Sequence, residues 1–65
     1  MAVINTTILK DIRKGKKVKQ GEIALAVGIS QGYYSQIEKG RLSCPVGVLD
    51  SICQYLDCEL RILTI

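Results

Sequence analysis

Two glycines, Gly28 and Gly40, each end a short run of helix-forming residues, and only Gly28-Ile29-Ser30 lies between the two runs. Upstream, Ile23, Ala24 and Val27 fall at helical spacing within 20–27, and Gly28 can take the left-handed position that closes a helix. Downstream, Ser30 is a strong N-cap candidate for the helix that runs from Gln31 to Gly40. Two short helices joined by a three-residue turn containing glycine have the outline of a helix-turn-helix, here over about 20–38. With 65 residues there is room for one core, so 1–65 reads as a single domain without repeat, linker or low-complexity tract.

The flanking segments supply the rest of that core. Asn5 is placed to cap a first helix, with Ile4 and Leu9 positioned as a hydrophobic staple around it and Ile8, Leu9 and Ile12 on one face. This helix is expected to end near Gly15. A further helix follows Pro45 in its first turn, with Val46, Leu49, Ile52, Cys53 and Leu56 at helical spacing. The last stretch, 58–65, alternates Glu59 and Arg61 with Leu60 and Ile62 and reads as a β-strand. A lone strand leaves its backbone unpaired, which antiparallel pairing with a second copy would cure. Leu60, Ile62, Leu63 and Ile65 are therefore the expected dimerisation residues.

A chain this short buries only roughly 60% of its unfolded surface and needs a disulfide, a metal or a partner chain for margin. The cysteines, Cys44, Cys53 and Cys58, are odd in number and contain no C-x-x-C pair. Their spacing fits neither a zinc site nor a disulfide framework, and suits thiols in a reducing cytosol. Histidine is absent, which removes the usual neutral-pH acid-base catalyst and the imidazole-containing triads and zinc sets. No enzyme, metal or cofactor is expected. The apolar stretches are far shorter than a signal core or a membrane span, so a cytoplasmic location is expected. A second subunit becomes the favoured source of margin.

Charge is gathered at one end. Residues 10–41 carry eight cations against three acids, a net of +5, while 42–65 carry one cation against three acids, a net of −2. Beside this basic half, the helix after Ser30 turns Tyr34 and Ile37 inward and leaves Gln31, Gly32, Ser35 and Gln36 on its outer face. An uncharged amide and hydroxyl surface suits a major-groove reader, because glutamine can bond an adenine edge through both amide atoms. Tyr33 has two readings: packing beside the preceding helix, or a hydroxyl reaching a phosphate or base.

The pattern Gln20-x-x-Ile23-Ala24-x-x-x-Gly28-Ile29-Ser30-x-x-x-Tyr34-Ser35-x-Ile37-Glu38-x-Gly40 resembles the helix-turn-helix of phage-repressor-like regulators of the Xre, or Cro/repressor, type. The resemblance implies an all-α, lambda-repressor-like domain of four to five short helices that binds double-stranded operator DNA as a homodimer. It assigns Arg13 and Glu38 to a structural ion pair. Base reading falls to Gln31, Gly32 and Gln36, with Tyr33 beside them. Phosphate contacts fall to Lys19, Gln20, Ser30, Ser35, Lys39 and Arg41. Two departures stand out: Lys19 replaces a threonine or serine cap, and Gly32 removes a side chain from a reading position. The stretch from the fourth helix to the tail also resembles the HipB-like antitoxin branch, whose C-terminal strands pair between subunits. The expected function is a DNA-binding transcriptional regulator, a repressor on a near-palindromic site. The alternative is an antitoxin that binds a partner toxin and autoregulates its operon.

Overall fold

The computed structural model describes residues 4–59 and Leu63, and its described elements are four helices. Helix α1 (Thr6–Gly15) starts where the sequence places it: the Asn5 side chain accepts the Ile8 N–H at 3.1 Å. Its end follows a different route. Gly15 is the last helical residue, but Lys17 is the one in the left-handed conformation, with φ +58°. The Val18 N–H donates to the Arg13 carbonyl at 3.1 Å, and the Arg13 side chain donates back to the Val18 carbonyl at 2.8 Å. This double tie holds a non-glycine residue where a Cβ costs about 1–2 kcal/mol.

Helices α2 (Gln20–Val27) and α3 (Gln31–Glu38) follow, and α4 (Val46–Leu56) completes the set. Helix α2 packs against both α3 and α4, and α1 packs against α3. Leu9, Ile23, Tyr34, Ile37, Leu49, Ile52 and Leu56 meet in one core with Ala24, Cys44 and Cys53. Pro45 lies one residue earlier than the sequence suggests, at the cap of α4, with its carbonyl accepting the Leu49 N–H at 2.9 Å. Val46, expected on the core stripe of α4, instead stays about half exposed at the first position of the helix. Among the described residues no helix is long and apolar enough to cross a membrane.

The expected C-terminal strand is not found among the described residues of that stretch, Cys58, Glu59 and Leu63. Leu63 has helical backbone, is fully buried in the core of its own chain, and accepts the Asn5 N–H on its carbonyl at 2.6 Å. A side chain spent on its own core cannot serve as a free dimerisation residue, so that assignment of Leu63 is corrected. Leu60, Ile62 and Ile65 lie outside the described residues. Leu63→Ala is expected to destabilise the chain by about 2–5 kcal/mol, the cost of emptying a buried leucine site. Urea unfolding at several protein concentrations checks this: a core role predicts a loss that is the same at every concentration.

Candidate nucleic-acid interface

The turn between α2 and α3 is built by backbone bonding. Gly28 has φ +81°, its N–H reaches the Leu25 carbonyl at 3.3 Å, and the Ile29 N–H reaches the Ala24 carbonyl at 3.0 Å. These two bonds close α2 in the Schellman pattern that needs a left-handed residue. Ile29 then packs against the core, and the Ser30 side chain accepts the Tyr33 N–H at 3.1 Å to start α3. Ala24 is fully buried, so the two helices cross with only a methyl group at that point. The same device ends α3: Gly40, at φ +75°, donates to the Ile37 carbonyl and Arg41 donates to the Gln36 carbonyl, both at 3.0 Å.

A buried polar cluster fixes the angle of α3. Arg13 Nε and Nη2 donate to the two carboxylate oxygens of Glu38 at 2.7 and 2.9 Å, and both residues are buried. The expected ion pair is formed, and it is bidentate, the geometry in which guanidinium and carboxylate match best. Gln20 adds a third donor, its Nε2 lying 3.1 Å from Glu38 Oε1. Desolvation works against the Glu38 charge, but Arg13 foremost, then the nearby Tyr34 hydroxyl and Gln20, outweigh it and hold the carboxyl below its ordinary range. The guanidinium is correspondingly raised, chiefly by its bond to Glu38.

Tyr34 points inward as expected. Its hydroxyl is buried as well, with no hydrogen-bond partner among the described residues. Burial first, and then the neighbouring Glu38 carboxylate, push its ionisation well above the ordinary tyrosine value.

On the outer side, Gln31 and Gly32 are exposed and Ser35 and Gln36 are half-buried, an uncharged surface along one face of α3. Tyr33 is half-buried and packs against the core. Exposed cations flank the two helices along the chain: Lys19 precedes α2, and Lys39 and Arg41 follow α3. Lys19 makes no side-chain cap bond, so the first turn of α2 keeps open N–H groups beside a cation. Such a terminus attracts an anion. The cations of 10–41 other than Arg13 are all exposed, and because Arg13 and Glu38 cancel each other, the net +5 is carried by the surface.

Several contacts carry no clear sequence signal. The Gln20 bond to Glu38 and the Arg13 bond to the Val18 carbonyl depend on how the helices cross. Tyr55 reaches from α4 to donate to Glu22 on α2 at 2.6 Å. A glycine at the second position of α2, where helix propensity disfavours it, was the one readable hint of a close approach there. Cys44 and Cys53 point away from nucleophilic chemistry: burial above all pushes Cys53 up to about 12 and raises Cys44, the reverse of what a reactive thiolate requires.

Because the folded Glu38 carboxyl is held low, its contribution to stability is complete above the unfolded-state value and is lost as the pH falls through the folded value. Glu38→Gln is therefore expected to cost about 3–5 kcal/mol at pH 7, by leaving Arg13 buried without a counter-charge. The gap from the parent chain should close as the pH is lowered, since a protonated Glu38 resembles glutamine. Paired urea titrations at pH 7 and pH 3 measure both.

Comparison with known proteins agrees with this geometry. The helix-turn-helix family HTH_3 matches residues 9–63. The chain is 39% identical over 56 residues to the ImmF control region 10 kDa protein of Bacillus phage phi105, covering 86% of this chain and 62% of that protein. It superposes with a TM-score of 0.83, at 32% identity, on the clp gene regulator ClgR from Corynebacterium glutamicum, over 86% of this chain and 60% of that one. The chain thus spans less than two thirds of either of these relatives. The fold is also that of the restriction-modification controller protein C.AhdI from Aeromonas hydrophila, with a TM-score of 0.82 at 23% identity over 88% of this chain and 86% of that one. With its family match reaching from α1 to Leu63, the chain belongs to the HTH_3 helix-turn-helix family, the DNA-binding domain of Xre, phage-repressor-type regulators.

Proposed function

We propose that the chain is a homodimeric, sequence-specific transcription repressor that lays α3 in the major groove of each half of a near-palindromic operator. The observation that carries this reading is the outer face of α3. Gln31, Gly32, Ser35 and Gln36 bear no charge, yet exposed cations precede α2 at Lys19 and follow α3 at Lys39 and Arg41. In this reading the cations and the open first turn of α2 hold phosphates and set register, while the amides and Tyr33 read bases. Ser30 and Ser35 add short-range hydroxyl contacts to the backbone. Gln20, already bonded to Glu38 through one amide hydrogen, offers the second to a phosphate, which couples DNA contact to the buried cluster. Two copies present their α3 helices about 34 Å apart, one helical turn of DNA. Leu60, Ile62 and Ile65 are kept at the subunit contact, and Leu63 is released from it.

Selection of bound sites from a random DNA pool tests the whole reading, and a pair of half-sites spaced by about one turn is the expected result. A single unpaired half-site would remove the dimer from it.

Gln31→Ala should weaken binding to the selected site by about 1 kcal/mol or more and relax preference at one position in each half. Arg41→Ala should instead weaken all sequences alike and lower the slope of log affinity against log salt by about one. Affinity titrations over a range of salt, on the selected site and on a scrambled duplex, separate the two effects.

A further inference from the structure

Gly21 is the second residue of α2, and Gln31 is the first of α3. A Cβ built on Gly21 would stand 2.9 Å from Gln31 Oε1 and 3.5 Å from its Cδ, with no other non-local heavy atom within 4 Å. The amide of Gln31 thus lies with its oxygen against the bare backbone of Gly21, and its Nε2 is more than 4 Å from that point. The oxygen has a reason to lie there. Lys19 leaves the first turn of α2 without a side-chain cap, and the positive end of a helix favours the negative end of an amide dipole.

We propose that Gly21 is a specificity-determining residue: it seats the Gln31 amide oxygen on α2, so that α3 offers the base edge only the amide N–H donor. The inference rests on the reading of Gln31 as a base contact. Recognition of adenine through both amide atoms needs Oε1 to accept from the base amino group while Nε2 donates to N7. With Oε1 turned onto α2, only the second half of that pair is available. A lone donor finds an acceptor on adenine, guanine or thymine and finds an amino group on cytosine. The wild-type position is then permissive, excluding cytosine and choosing little among the other three.

Gly21→Ala tests this cleanly, because the new methyl group meets only the tip of a flexible side chain. Alanine is also the better helix former, so the melting temperature should hold or rise. The freed amide can then engage adenine through both atoms, and selection from a random pool should show adenine over guanine enriched about tenfold at that position relative to wild type, the scale of one added base hydrogen bond. Wild type, Gly21→Ala and Gln31→Ala are selected in parallel. If Gln31→Ala changes the selected base and Gly21→Ala does not, the seat is wrong and the base contact stands. If Gln31→Ala selects the wild-type site unchanged, the base-contact reading itself falls. Loss of helical signal in Gly21→Ala would also overturn the proposal, since the contact would then be one that the fold requires.

Discussion

Arg13 and Glu38 come from the first and third helices, and the whole arrangement turns on their bidentate contact. Two charges removed from water would be a liability on their own, and breaking one side of such a pair costs more than the pair contributes. What makes it tolerable is that Glu38 also accepts from Gln20, while the remaining Arg13 donor holds the Val18 carbonyl. The cluster therefore ties α1, the α1–α2 turn, the start of α2 and the end of α3 to one point. An apolar core of this size can shift helices by small amounts at little cost, whereas a planar guanidinium facing a carboxylate fixes both distance and angle.

That constraint explains why the outer face of α3 can be made of small, uncharged groups. Hydrogen bonds to base edges demand placement to a fraction of an ångström, and α3 has only eight residues, too few to be stable alone. Its position is borrowed from α1 and α2, which pack against it and hold Glu38. Tyr34 sits at the same junction, with its ring filling the core under the pair and its hydroxyl left without a partner among the described residues.

Much of this was readable in the sequence, because the strongest local signals coincide with the structure. Gly28, Ser30 and Gly40 mark the helix ends by backbone chemistry that hardly depends on the rest of the molecule, and Asn5 does the same for α1. The Arg13–Glu38 pair was legible only through resemblance, since nothing local links residues 25 apart. Lys17 was illegible: propensity points to Gly15 as the helix stop, and the Arg13 side chain, reaching forward to the Val18 carbonyl, overrides it. Alternation in the tail suggested a strand, yet Leu63 is claimed by the core. Period-two patterning over a few residues cannot distinguish a half-buried strand from a short segment whose apolar residues dock on existing helices.

Gly32 has a different kind of consequence. It sits on the open side of α3, and a Cβ added there would meet nothing within 4 Å. Neither packing nor backbone conformation requires the glycine, so the position is free to vary without penalty to the fold. Any side chain introduced would project straight from the exposed face beside Gln31, and alanine, serine or asparagine would each strengthen the helix relative to glycine. The domain thus leaves one position of the exposed α3 face open to single substitutions that do not disturb the buried cluster orienting α3.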